Sequence, residues 1–163
     1  MAHAFRKAVP AIVLASLALP LLASAPRADT EGLRLYRRTA DFEDVKFDLT
    51  NAITQRGFAI DQNGKIGQML ERTGPAFGIT QPVYKTAEFV AFCSARLALA
   101  MTEADPSNVA FCPLSIVIYE TRAKPGEIVV GFRLAPVAAN PLSQKTFAET
   151  TTLLDEIARE ATK

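Results

Sequence analysis

The spacing of apolar and polar positions divides the chain into segments of two kinds. Leu33-Arg34-Leu35-Tyr36-Arg37-Arg38 alternates, with Leu33 and Leu35 on one face, and predicts a strand. From Phe42 the period changes. Phe42, Val45, Leu49, Ala52 and Ile53 recur at three- and four-residue spacing, which makes one apolar helix stripe. Asp41 stands at the N-cap, with Asp44 three residues on as an imperfect capping box, and Gly57 stands where a left-handed C-cap belongs. These bounds predict a helix over about 42–56. Phe58-Ala59-Ile60 predicts a second strand, Asp61-Gln62-Asn63-Gly64 a turn, and Ile66 to Arg72 a short helix ended by Thr73-Gly74-Pro75. Phe77 to Val83, with Gly78 and Pro82, predicts a loop.

The stretch from Lys85 to Glu120 carries the longest apolar runs after residue 25 and both cysteines. Glu88 to Cys93 predicts a strand, and Ser94 caps a helix over Ala95 to Ala104 with Leu97, Met101 and Ala104 on one side. Asp105-Pro106 ends that helix, because proline cannot continue the backbone ladder. Ile116-Val117-Ile118-Tyr119 is β-branched, aromatic and apolar on both faces, with Pro113 at its entry. Lys124-Pro125-Gly126 is a turn and Glu127 to Leu134 the partner strand, so the two predict a hairpin. After a linker from Pro136 to Pro141, Ser143 is expected to cap a last helix to about Ala161, with Phe147, Leu154, Ile157, Ala158 and Ala161 inside. Strands and helices in this order predict an α+β domain over 29–163, a single sheet with helices packed on one face.

Composition places the chain among ordinary globular proteins. It has 163 residues, 49% hydrophobic and 21% charged, enough for one domain. Lys plus Arg is 18 against 17 for Asp plus Glu, and so balanced a charge argues against a nucleic-acid partner. Residues 1–25 have the three-part layout of a secretory signal peptide: Arg6 and Lys7, an apolar run from Ala8 to Leu22 broken by prolines, then Ala23-Ser24-Ala25. The run is shorter than the roughly 20 unbroken apolar residues that span a bilayer. The expectation is a periplasmic or secreted protein with no stable membrane anchor after cleavage, in an oxidising compartment.

Cleavage removes His3, the single histidine. Without histidine there is no Ser-His-Asp or Cys-His nucleophile and no His-rich zinc site. No phosphate loop, haem-attachment motif or Cys-x-x-Cys is present, so no catalytic residues and no cofactor are assigned. Glu88, Glu103 and Glu120 read as solvated surface charges. Three readings of Cys93 and Cys112 stand open: a disulfide, worth about 3 kcal/mol for a loop of this length; two separate buried thiols; or, with Met101, a Cu(I) site. If their strands were neighbours and parallel, the cysteines would lie at opposite sheet ends and no bridge could form. Tyr84, Arg96 and Tyr119, with Tyr36, are the candidate ligand-binding residues, although a tyrosine at a sheet surface is more often packing. Arg96, in the first turn of a helix, opposes the dipole and asks for a carboxylate partner or a bound anion.

Four segments together resemble a known family: FEDVKFDLTNAITQRG at 42–57, AFCSARLA at 91–98, ADP at 104–106 and FCPLSIVIYE at 111–120. They are similar to domain-of-unknown-function family 302. That resemblance implies an α+β fold similar to the TATA-binding-protein-like class, and a homodimer; it implies no established biochemical role. Members often carry Pro-Cys at the hairpin entry. Here the order is Cys112-Pro113 and Leu114 takes the cysteine's place, so a role for that cysteine does not carry over to Cys112.

The expected function is a non-catalytic binding or accessory module for a small molecule, leaning away from an enzyme. The alternative is a thiol-based redox or copper-handling protein using the two cysteines. Val117, Tyr119, Val129 and Gly131 are expected to leave an apolar sheet face that a twofold partner buries, unless the loop from Phe77 to Val83 folds over it.

Overall fold

The structure, a computed structural model, describes residues 32–163. The leader expected at 1–25 lies outside the described residues. Five strands, β1 (Leu33–Thr39), β2 (Ile60–Gly64), β3 (Tyr84–Phe92), β4 (Leu114–Thr121) and β5 (Glu127–Arg133), form one sheet in the order β1-β5-β4-β3-β2. Every neighbouring pair is antiparallel. The helices are α1 (Phe42–Thr54), α2 (Ile66–Thr73), α3 (Ala95–Ala104) and α4 (Pro141–Ala161). The fold is α+β, as expected, with α1 and α4 layered together over one face.

That covered face holds the main core. Ile116 and Ile118 of β4, Ile128 and Val130 of β5 and Val90 of β3 meet Val45, Leu49 and Ile53 of α1 and Ile157 and Ala158 of α4, all fully buried. Burying one such branched side chain contributes about 1.5–3 kcal/mol. The α1 stripe is the one its spacing predicts, and Asp41 caps it by accepting from the Glu43 N–H at 3.2 Å. A smaller cluster, Leu97 and Met101 of α3 with Phe147 of α4, holds the α3 excursion onto the first half of α4.

Several expectations change. Asp61 to Gly64 is part of β2, not a turn, because Gln62, Asn63 and Gly64 pair with Ala91, Val90 and Phe89 across a bulge. A polar segment can be a strand at a sheet edge, where one side faces water. Residues 106–111 form a 3-10 helix where only a turn was expected. The cap of α4 is Asn140, whose Oδ1 accepts from Leu142 N at 2.9 Å; Pro141 occupies the first turn. Ser143 is buried instead, its Oγ accepting from Asn108 Nδ2 at 2.9 Å.

Glu88 and Glu120 are not surface charges. Their alternation puts both on the covered face, beside isoleucines. Glu120 is 2% exposed, and its Oε1 accepts from the Gly126 N–H at 2.8 Å and from Lys85 Nζ at 3.0 Å. The Gly126 amide first, then Lys85, hold its carboxyl below the usual range in spite of burial. One carboxylate thus ties the β4–β5 turn, where Gly126 sits at φ +82°. Glu88 faces Lys46 of α1 at 2.8 Å. Glu103 is exposed as expected.

The edge strand β1 is held by polar contacts. Asp155 of α4 accepts from the Tyr36 hydroxyl, from Arg34 Nη1 at 2.9 Å and from Arg159 Nε at 2.7 Å, while Arg159 lies 5.0 Å over the Tyr36 ring. Burial first, then the bond to Asp155, pushes the Tyr36 hydroxyl up to about 12.

Candidate functional site

Alternation along five antiparallel strands sorts the uncovered face into three rows. The middle row runs Leu35, Gly131, Val117, Phe89 and Gly64, each opposite the next. The two glycines shape it. A β-carbon on Gly131 would lie 2.3 Å from Leu35 Cδ2, and one on Gly64 would lie 1.9 Å from the Phe89 ring. Leu35 therefore rests inward over Gly131, while Phe89 rests outward over Gly64. Between them Val117 forms the floor of a groove of about 680 Å³. Its wall on the β3 side is α2, which contributes Ile66 and Leu70; Gly67 lets that helix approach, since a β-carbon there would lie 2.8 Å from the Ala87 nitrogen.

The other two rows form the ends. At one end Arg37, Val129, Tyr119 and Ala87 are aligned, and Tyr84 meets Tyr119 edge to face at 5.5 Å between ring centroids. Burial is the first cause of a raised Tyr119 pKa, so its hydroxyl stays protonated and able to donate. At the other end stand Leu33, Arg133 and Ser115. Of the four residues grouped on sequence grounds, Tyr36, Tyr84, Arg96 and Tyr119, the structure brings Tyr84 and Tyr119 together. The expected patch is narrower than the sequence implied, because Val129 is 4% exposed and Gly131 is buried under Leu35. The loop over 77–83 lines none of the groove; it borders a separate cleft with Leu70 and Tyr84, and Phe77 is 81% exposed.

Tyr36 and Arg96 lie elsewhere. Tyr36 points to α4. Arg96 lines a cleft between α3 and α4, with its guanidinium 3.0 Å from Glu149 Oε2. The carboxylate partner that its place against the dipole called for is Glu149.

The cysteines sit at one sheet end. β3 and β4 are neighbours but antiparallel, and Phe92 opposes Leu114, so Cys93 and Cys112 leave the sheet side by side. Both are free thiols; no disulfide joins them. Cys93 is exposed, and Cys112 is half-buried against the Leu97, Met101 and Phe147 cluster. Burial first, then contact with Cys93, pushes the Cys112 thiol up. Met101 is fully buried, with its sulfur 3.9 Å from Thr150 Oγ1. Among the described residues no group of three or more His, Cys, Asp or Glu side chains is placed to hold a metal ion. Below Cys112, Phe111, Pro113, Leu134 and Phe147 enclose a smaller cavity of about 240 Å³.

Sequence reasoning missed Leu35, Phe89, Ile66, Leu70, Ser115 and Arg133 as groove residues. Alternation marks the face of each, but nothing local marks which strands adjoin.

A five-stranded antiparallel sheet, with α1 and α4 over one face and a groove walled by α2 on the other, defines an α+β domain. The chain belongs to the family described as Domain of unknown function DUF302, which it matches over residues 36–161. A solved structure described as an uncharacterized conserved protein DUF302 from Bacillus stearothermophilus shares the fold, with a TM-score of 0.67 at 12% identity, covering 81% of this chain and 99% of that one. No curated protein matches this chain.

Proposed function

We propose that the chain is a non-catalytic binding or accessory module, and that the groove on the open sheet face holds a small molecule. The observation that carries this reading is the middle row: apolar side chains shaped by two glycines into a slot, on a face that an antiparallel sheet normally gives to polar residues. Its volume lies within the roughly 300–1,000 Å³ of ligand sites. A thermal-shift screen of the purified mature protein tests it. Ligands that raise the midpoint should lose their effect when Val117→Trp fills the slot. Turnover of any substrate that disappears in Tyr119→Phe or Cys93→Ala would overturn it.

The work site we propose is the periplasm or the cell exterior, supported by the resemblance of residues 1–25 to a three-part secretory leader. No helix among the described residues is long and apolar enough to cross a membrane. A homodimer burying the open face is the competing use of the same surface, and light scattering at micromolar concentration separates the two. A monomer that binds ligand favours the groove, and a dimer that excludes ligand favours the interface.

One observation favours the second reading, a thiol-based redox or Cu(I)-handling role: the antiparallel register sets Cys93 beside Cys112. In the redox form, exposed Cys93 attacks a substrate disulfide and Cys112 resolves the mixed disulfide. Two thiols are oxidised to one bridge while the substrate is reduced to two thiols. In the metal form the two sulfurs are the ligands. Mass spectrometry under non-reducing conditions, with and without added Cu(I), decides. A chain that stays two hydrogens heavier after treatment with oxidised glutathione and takes up no copper leaves this reading without support.

A further inference from the structure

We propose that the groove selects an amphipathic carboxylate: an apolar chain or ring along the middle row, with its anionic head at Arg133 and Ser115. This rests on the groove reading above and adds the chemistry of the ligand. The argument begins with charge. On β1, Arg34, Arg37 and Arg38 each face a carboxylate, of Asp155, Glu127 and Asp48. Arg133, at the end of β5, has no carboxylate partner among the described residues, yet it borders the groove at the Leu33 end. A guanidinium offers a rigid fork of donors that matches a carboxylate. Ser115, also bordering the groove on β4, adds a hydroxyl donor.

The far end differs. Tyr84 and Tyr119 close it with rings and hydroxyls, and Arg37 beside them is engaged with Glu127 at 3.8 Å. Charge is therefore offered at one end only. Between the ends, Val117, Leu35 and Phe89 supply apolar floor and walls, and Leu70 of α2 is 43% exposed above them. A ligand with one anionic end and an apolar body covers that surface and neutralises Arg133 together. A cationic amphiphile would place like charge at Arg133, and a polar sugar or nucleotide would lose water to an apolar floor.

Isothermal titration of the purified protein with decanoate, decanol and decyltrimethylammonium tests this. Decanoate should bind about tenfold more tightly than decanol, as expected for one charge-assisted hydrogen-bonded pair. Decyltrimethylammonium should bind most weakly. Arg133→Gln should abolish the preference for decanoate and leave the decanol affinity unchanged, while Val117→Trp should weaken both. Equal affinities for decanoate and decanol would overturn the carboxylate proposal and leave the groove reading intact. Binding by none of the three would overturn both. Decanoate binding that survives Val117→Trp would place its tail outside the groove, for instance in the smaller cavity that Arg133 also borders, and would overturn the proposal as well.

Discussion

The two faces of this sheet are built from the same strands, yet they differ in what fills them. On β4, Ile116 and Ile118 point into the helix layer and are fully buried, while Val117 and Tyr119 between them line the groove. The covered face is closed by apolar packing and by carboxylates held in place: Glu120 on the hairpin amide, Glu88 on Lys46, Asp155 on Tyr36. The open face has two glycines where side chains would otherwise fill the surface, and at one end an arginine with no carboxylate partner among the described residues. One face supplies the stability of the fold. The other is concave and only half-buried along Val117 and Tyr119.

The sharpest way to break this comparison is to truncate neighbours on β4. Ile116→Ala should destabilise by about 2–5 kcal/mol, the range for opening a cavity in a packed core. Val117→Ser, one residue on, should cost less, about 1 kcal/mol, because Val117 is only half-buried at the groove floor and its truncation leaves no closed cavity. Urea denaturation of the two variants checks both; equal losses would mean that the faces are energetically alike.

Glu120→Gln comes next, at about 1–3 kcal/mol, the cost of weakening a charge-assisted bond to a buried amide. The pH dependence has a definite sign. Glu120 ionises at lower pH in the fold than in the unfolded chain, so its stabilisation is complete above the ordinary carboxylate range. It is lost as the pH falls through the depressed value. Stability curves for wild type and Glu120→Gln should therefore converge in acid and separate towards neutrality.

Tyr36→Phe should cost no more than Glu120→Gln, about 1–2 kcal/mol, because its bond to the Asp155 carboxylate lies at the partly exposed β1–α4 seam. Here the sign reverses. The Tyr36 pKa is raised from 10.0 to about 12, so the contact is fully stabilising below pH 10 and is lost as the pH rises towards 12. The gap between wild type and Tyr36→Phe, followed by urea denaturation, should be constant at neutral pH and close across that alkaline window.

Much of this architecture was legible residue by residue. The α1 stripe, Ser94 as the cap of α3, the β4–β5 hairpin and the inner face of α4 all follow from period and caps, which are local properties. The misreadings share one cause. Glu88 and Glu120 looked like surface charges because a carboxylate is rarely buried without a partner, and their partners are a helix lysine far along the chain, and a turn amide with a lysine on the neighbouring strand. Asp61 to Gly64 looked like a turn because its residues favour turns, but β3 offered it a sheet edge. Asn140 displaced Ser143 as a cap because Ser143 is engaged by Asn108, 35 residues away in the chain.

What the sequence determined by itself was the kind of element at each place and the face each side chain takes within it, since both follow from backbone geometry over a few residues. It also determined the inventory of reactive side chains, one histidine at His3 and two cysteines at Cys93 and Cys112. Only the tertiary structure decided which strands adjoin and which way they run. That choice puts Cys93 beside Cys112, sets Leu35 over Gly131 and Phe89 over Gly64, brings Tyr84 to Tyr119, and sends Arg96 to Glu149 instead. The physical reason is that a site on a sheet face is made across strands, by register between segments far apart in the chain, and no local pattern encodes a register.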